Sequence, residues 1–288
     1  MRLAALALDY DGTIARGDVL ESSVRDAIAV ARSGGVIVLL VTGRILSELR
    51  RAAGDLHFVD GVVAENGAVI HFPASDYTAV VAPLVPEGFH SELTRRGIPS
   101  HAGQCLVDMN ADDAGRALEV IRTLEMPLVL VFNRGRVMAM AQGVSKATGL
   151  RTALNTLRLS PRNTVAVGDA ENDHELLRLV EVGCAVEWGS PSLRAAADLI
   201  VNGRGPMAVA SLVRSLGESR SLPVVPRARR RLHVGYTPDG RDFSLAVRGR
   251  NILVAGDAKS GKSWAAGLLC EQLILHGYSV CIIDPEGD

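Results

Sequence analysis

The chain alternates short, solid apolar runs with longer amphipathic stretches. Leu3 to Leu8 and Val36 to Val41 are unbroken apolar runs of strand length, and Thr164 to Val167 reads as a further strand. Runs of that size suit strands covered on both faces, as in a parallel sheet. Between the first two, Val24, Ala27, Ile28 and Ala31 recur at helical spacing. Ser22 or Ser23 can cap that helix, and Gly34-Gly35 ends it. Strand, helix, strand predicts a right-handed crossover and a parallel pair. Ile45 to Ala53 reads as a helix, and Phe58 to Val63 and Ala68 to His71 as strands. Asn66-Gly67 between them favours a type I′ hairpin. Further along, residues 147 to 157 read as helix, Cys184 to Val186 and Asp198 to Val201 as strands, and a last helix runs to Leu216.

About one hundred residues separate Thr42 from Lys146, more than one crossover needs. The excess has its own pattern. Pro86 to Arg96 reads as a helix, Cys105 to Met109 as a strand, and Ala111 to Leu124 as a helix with Ala114, Ala117, Leu118 and Ile121 on one face. Leu128 to Phe132 and Arg136 to Met140 form a hairpin around Asn133-Arg134-Gly135. This predicts an α/β core (residues 1–72 and 141–216) interrupted by a small α+β domain (73–140). Residues 217–230, rich in Ser, Pro and Arg, read as a linker. A final segment, 231–288, carries a strand (Asn251 to Ala255), a helix (Ser263 to Leu275) and another strand (Ser279 to Ile283).

Composition adds limits. The net charge of −1 gives the whole chain no electrostatic bias towards nucleic acid or membrane. Arg227, Arg229, Arg230 and Arg231 form a basic run that reads as a solvated linker face, with a nucleic-acid contact as the alternative. Cys105, Cys184, Cys270 and Cys281 are far apart and form no C-x-x-C pair, against a zinc site or a disulfide framework. Met1 leads directly into the first strand, and no apolar run approaches a membrane span, so a cytoplasmic protein without a membrane partner is expected.

The chemistry concentrates at strand ends. Asp9-Tyr10-Asp11-Gly12-Thr13 places two carboxylates at the exit of the first buried strand, where ligands bind in open α/β sheets. Such a pair is costly without compensation, and a divalent cation such as Mg²⁺ supplies it. Thr42 leaves the second strand beside Asp9, and its hydroxyl can meet a phosphate oxygen. Gly168-Asp169 ends a later strand, with Asn172 and Asp173 opening a helix whose N-terminus favours anions.

Asp9-Tyr10-Asp11-Gly12-Thr13, Val41-Thr42-Gly43-Arg44, Lys146 in Gly143-Val144-Ser145-Lys146, and Gly168-Asp169-Ala170-Glu171-Asn172-Asp173 resemble, in order, the four motifs of the haloacid dehalogenase superfamily of phosphohydrolases. Glu65-Asn66-Gly67-Ala68 resembles a segment of its Cof-type branch, subfamily IIB. The resemblance spans about residues 1–215. It implies a Rossmann-like parallel sheet with an inserted C2-type cap over the active site. It also implies Mg²⁺-dependent hydrolysis of a small phosphorylated metabolite, a sugar phosphate or a phosphoglycolate-like ester. Asp9 is then the nucleophile and Asp11 the general acid and base, which requires Asp11 to start protonated, with its pKa above that of Asp9. Thr42, Gly43, Lys146 and Asn172 bind phosphate. The metal residues are Asp9, Asp11 through its backbone carbonyl, Asp169, and Asp173 as ligand or orienting group. Sugar phosphotransfer, as in phosphomutases, fits the same motifs.

Gly256-Asp257-Ala258-Lys259-Ser260-Gly261-Lys262-Ser263 matches the P-loop pattern between a predicted strand and helix. Gly256, Ser260 and Gly261 let backbone amides curl around phosphates, Lys262 reaches the β/γ-phosphates of ATP, and Ser263 ligates Mg²⁺. Arg231 to Arg250 and Asp284-Pro285-Glu286-Gly287 resemble the opening of HerA-type and FtsK-type DNA-translocating ATPases. Only one βαβ unit is present, so a partial P-loop domain is expected. Nucleic acid becomes a partner only through a completed ATPase domain. The alternative is a motor fragment with the phosphatase-like domain as a regulatory module.

Overall fold

The first apolar run becomes β1 (Ala5–Asp9), buried at every residue. The computed structural model describes residues 1–17, 19–225, 229–247 and 251–283. They divide into a large unit, Arg2–Val224, and a small one made of Met1 and Val225–Asp288. After β1 the chain makes a short hairpin of β2 (Ala15–Arg16) and β3 (Val19–Leu20). Then come α1 (Ser22–Ser33), β4 (Ile37–Val41), α2 (Leu46–Ala53), β5 (Gly61–Ala64), β6 (Val69–Phe72) and β7 (Tyr77–Val80).

The insert follows as α3 (Glu87–Arg95), β8 (Ser100–Ala102), β9 (Leu106–Asn110), α4 (Ala114–Thr123), β10 (Leu128–Asn133) and β11 (Arg136–Ala141). The core resumes with α5 (Lys146–Thr156), β12 (Thr164–Gly168), α6 (His174–Leu179), β13 (Val182–Val186), α7 (Pro191–Ala196), β14 (Leu199–Val201) and α8 (Pro206–Ser219).

The main sheet has eight strands in the order β14-β13-β12-β1-β4-β5-β6-β7. The strands from β14 to β5 run parallel, and β6 and β7 are added antiparallel. β1 therefore sits between β4 on one side and β12 on the other, paired Asp9 with Val41 and Leu8 with Val167. Chain direction around the sheet reverses at β1, and the crevice at such a point is where α/β sheets place ligands. Ala7, Leu39, Ala166, Leu150 and Leu154 form part of the core between sheet and helices. The insert builds a second sheet in the order β10-β11-β9-β8. Phe89, Leu93, Val120 and Ile121 from its two helices pack on Val107, Met109, Val137 and Ala139 of that sheet.

The expected α/β core with an α+β insert is present, with local differences. The N-cap of α1 is Glu21, not a serine; Ser22 and Ser23 are already helical, and Ser23 donates to the Glu21 carboxylate instead. The β5–β6 connection is a four-residue loop, 65–68, not a two-residue type I′ turn. Glu65, Asn66 and Gly67 all take positive φ there. Tyr77–Val80, assigned to the insert by pattern, pairs with β6 and extends the main sheet. On α4, Val120 enters the core while Leu118 faces solvent, 47% exposed. Asn172 and Asp173 lie in a 3-10 turn, Glu171–Asp173, ahead of α6 rather than within it.

The small unit holds a hairpin of β15 (Arg231–Tyr236) and β16 (Asp242–Ala246), and α9 (Lys262–Leu275). The expected strands at 251–255 and 279–283 are not formed. A parallel strand has no backbone hydrogen bonds except those it shares with a neighbour, and neither segment joins a ladder among the described residues. Arg227, Arg250 and Asp284-Pro285-Glu286-Gly287 lie outside the described residues.

Candidate active site

Three strand ends converge on one floor. β1 delivers Asp9, β4 delivers Thr42 in the next position, and β12 delivers Asp169; all three are buried. Gly12, at φ 77°, turns the chain after β1, and its backbone carbonyl accepts from Trp188 Nε1 at 2.7 Å. A Cβ at Gly12 would lie 2.4 Å from Asp169 Oδ2, so only glycine fits this approach. Ser145 caps α5 through a capping box with Thr148. That fixed start aims Lys146 into the floor, where Nζ donates to Asp9 Oδ1 at 2.6 Å and Asp173 Oδ1 at 2.8 Å. Asp173 Oδ2 in turn accepts from the backbone amides of Asp169 (2.9 Å) and Ala170 (3.1 Å).

Carboxylate oxygens of Asp9, Asp169 and Asp173 lie within 4.8 Å of one another. Asp9 Oδ2 is buried and accepts no hydrogen bond from the described residues. A dense, oxygen-only donor set with an unpaired buried oxygen suits a hard divalent cation. Burial, the largest influence, pushes the Asp9 carboxyl up to about 7; Lys146 opposes this, while Asp173 and Asp11 reinforce it. Burial works against the Lys146 ammonium, yet Asp173 and Asp9 together hold its pKa above the ordinary lysine value. Lys146 is thus a buried, fully committed cation.

Asp11 is brought to the rim rather than into the carboxylate cluster. Arg44 grips it bidentately, Nε to Oδ2 at 2.8 Å and Nη2 to Oδ1 at 2.5 Å. Asp9, buried at the strand end, is the carboxyl that burial pushes up. Thr42 Oγ1 accepts from the Arg44 amide at 3.1 Å. Gly43 leaves room for Asn172 and Met138, whose atoms would lie 3.7 Å and 3.3 Å from a Cβ there.

The insert roofs this floor. A cleft of ≈ 700 Å³ runs from Asp9, Asp11 and Gly43 below to His101, Asp108, Arg134, Arg136 and Met138 above. The Arg134 guanidinium reaches down from the β10–β11 turn against Asp169. Arg136 pairs with Asp108, and His101 with Glu48. Sequence pattern marked Arg134 only as a turn residue, and nothing in spacing reveals that the hairpin tip overhangs the carboxylates. Glu65, singled out only as part of a family-like segment, is buried where insert and core meet.

In the small unit, Gly256, Ser260 and Gly261 lie in a loop leading into α9, and Lys262 and Ser263 are the first two residues of that helix. Lys259 (φ 64°) and Gly261 (φ 88°) are left-handed, and Lys262 Nζ donates to the Asp257 carbonyl at 2.7 Å. No helix among the described residues is long and apolar enough to cross a membrane. None of the four cysteines is in a disulfide.

The family model described as haloacid dehalogenase-like hydrolase matches residues 6–87 and 102–211. The chain is 28% identical over 223 residues to the phosphoglycolate phosphatase of Methanothermobacter thermautotrophicus, covering 74% of this chain and 98% of that protein. With the phosphoglycolate phosphatase of Methanothrix thermoacetophila it shares 29% identity over 206 residues, 69% of this chain and 90% of the relative. Among solved structures, a haloacid dehalogenase-like hydrolase from Bacteroides thetaiotaomicron superposes with a TM-score of 0.63 at 17% identity, over 75% of this chain and 100% of that one. A subclass IIB sugar phosphatase superposes with a TM-score of 0.59 at 17% identity, over 75% and 98%. At that identity the structural likeness speaks for the fold.

Proposed function

The chain belongs to the haloacid dehalogenase-like hydrolases, and from that premise we propose a Mg²⁺-dependent phosphatase that cleaves a small, anionic phosphate monoester through an aspartyl-phosphate. The observation that carries this reading is the Asp9–Lys146–Asp173 chain of buried charges beside Asp169. It is one cation among three carboxylates, laid out where a phosphoryl group and a metal would complete the charge balance.

In this reading Asp9 Oδ2, the oxygen with no hydrogen bond, attacks phosphorus, and the bond from phosphorus to the leaving alkoxide oxygen breaks. Asp11, on the exposed rim, protonates the alkoxide; water then attacks the acyl-phosphate, losing its proton to Asp11, and phosphate leaves. Arg44 holds the Asp11 carboxyl at the rim through its bidentate grip. Lys146, Thr42 and the backbone amides at Gly43 neutralise and orient the transferring oxygens. Asp9, Asp169 and the Asp11 backbone carbonyl are suited to hold Mg²⁺, which supplies charge neutralisation when bound. Asp173, with both oxygens already occupied by Lys146 and two backbone amides, orients rather than ligates.

The relatives named phosphoglycolate phosphatase point to a short, doubly anionic ester, and the arginines of the cleft, Arg44, Arg51, Arg134 and Arg136, match that charge. The test is turnover of p-nitrophenyl phosphate and a panel of phosphorylated two- to six-carbon metabolites, with Mg²⁺ and with EDTA. No Mg²⁺-dependent release of phosphate from any of them overturns the reading. Transfer to a second sugar instead of water would identify a phosphotransferase.

A second reading concerns residues 231–283. The left-handed turns at Lys259 and Gly261 ahead of α9 support a phosphate-cradling loop of the P-loop type, with ATP as the ligand. Titration of the full chain with a fluorescent ATP analogue tests it, and absence of saturable binding removes it.

A further inference from the structure

Glu65 has no part in the phosphate chemistry, yet it is 1% exposed and sits at φ 49°. Asn66 follows at φ 54° and Gly67 at φ 107°. Two successive non-glycine residues in the left-handed region store strain that the surroundings must hold. The holding contacts reach Arg44, Thr42 and Asn172 of the site. Glu65 N donates to the Arg44 carbonyl at 2.9 Å, and Asn66 N to the Thr42 carbonyl at 3.0 Å. Asn172 Nδ2 donates to Asn66 Oδ1 at 3.2 Å.

The Glu65 carboxylate itself points across the boundary between core and cap. Two cap amides donate to it, Cys105 N at 2.7 Å and Gln104 N at 3.1 Å. Gly103 completes the fit, because a Cβ there would lie 2.6 Å from the carboxylate. Residues 103–105 join β8 to β9, and these strands carry His101 and Asp108 into the cleft roof.

We propose that Glu65 is a positioning residue, a latch whose buried carboxylate holds the 103–105 loop on the core and so sets the height of the cap over Asp9. The proposal rests on the phosphatase reading for what the cap covers, and on the hydrogen bonds alone for the latch. Glu65 directs both carboxylate oxygens to the cap backbone, at a place where its own backbone is held in the left-handed region. Removing it leaves two cap amides without this acceptor, that of Cys105 buried and that of Gln104 part-buried, which favours a cap lifted into water.

The test uses the full chain with Glu65→Gln, which keeps shape but replaces one of the two acceptor oxygens with an NH2 donor, and Gly103→Ala, which presses on the latch from the cap side. Hydrogen exchange without substrate should show amides 104 and 105 exchanging at least about tenfold faster in Glu65→Gln, with β1 and β12 protected as before. In kinetics, KM for the preferred small ester should rise about tenfold in both variants with kcat within about threefold. The inhibition constant of inorganic phosphate, which needs only the core floor, should stay within about twofold. Unchanged exchange at 104 and 105 overturns the latch. So does a parallel loss of phosphate affinity and KM, which marks general damage to the site. If the parent hydrolyses no phosphate ester, the phosphatase reading fails, while the exchange measurement still decides the latch. If Glu65→Gln does not fold, Gly103→Ala with the same exchange readout decides it.

Discussion

Lys146 donates to Asp9 across 137 positions of sequence, at 2.6 Å and with both side chains almost wholly buried. A buried charge pair joins the first strand to the first residue of α5, the helix that follows the cap, so the nucleophile of the proposed reaction is set only when the insert has returned to the core.

Asp9→Asn should abolish phosphatase activity and leave the fold intact. It should also change the response to pH. The folded Asp9 carboxyl is raised to about 7 from an ordinary value of 3.8. Between those values the folded chain holds a proton that the unfolded chain has lost, so this group's contribution to stability falls as pH rises through the window. The slope is at most about 1.4 kcal/mol per pH unit. Urea melts in EDTA at pH 4.5 to 7.5 should show the parent losing stability relative to the Asn variant, and Mg²⁺ should remove the difference. Parallel profiles would sink this account of Asp9.

Lys146→Met keeps the side-chain volume and removes the cation facing two buried carboxylates. Breaking one partner out of a buried pair costs about 3–5 kcal/mol. That loss should appear in EDTA and shrink in millimolar Mg²⁺, since a divalent cation at Asp9, one of the two carboxylates, takes over part of the compensation. A loss under about 1 kcal/mol in EDTA would show that the pair is not a structural element.

Gly67→Ala should cost at least about 3 kcal/mol. A Cβ there would stand 2.0 Å from the Ser145 carbonyl oxygen, a backbone atom at the start of α5, and φ is 107°. Chemical denaturation is the measurement. A wild-type midpoint would mean that the loop and α5 can separate without penalty.

The fragment 1–224 should fold, and 1–216 should be markedly weaker. α8 continues to Ser219, Gly217 packs against Ala31, and Ser221 bridges to Arg2. The shorter cut removes contacts that the pattern of the sequence assigned to a linker. Equal melting temperatures for the two fragments would restore the earlier boundary.

Lys262→Ala should weaken binding of an ATP analogue and leave phosphate ester hydrolysis unchanged, because the two sites share no residue. A severalfold fall in hydrolysis with the fold intact would show coupling between the units and favour the regulatory-module reading.

The strands that carry the floor were legible because each combines an apolar run with a polar exit, as in Leu8-Asp9, Val41-Thr42 and Gly168-Asp169. The lysine was legible only from its company in the other motifs, since a lone lysine carries no spacing signal. Side chains that act across the domain boundary were not legible. Arg134 meets Asp169, and Glu65 meets Gln104 and Cys105, through the placement of one sheet over another, and no local period encodes that. Strand β7 was missed because an edge strand half open to water lacks a solid apolar run. The segments at 251–255 and 279–283 have the apolar run without the ladder, which shows that such a run states a preference that only a neighbour can satisfy.

The central place of β1 has a consequence for the order in which the molecule assembles. Its first residue pairs Ala5 with Ile37 on one side and with Thr164 on the other. During synthesis the near partner emerges within seconds, at about 5–20 residues per second, while the far one must wait for the entire insert. The cap sheet pairs only residues between 100 and 141, so its loops close at lower entropic cost and its four strands are complete before β12 exists. On the ribosome, then, the roof is finished before the floor, and half of β1 remains an open edge until the last third of the large unit arrives to cover it.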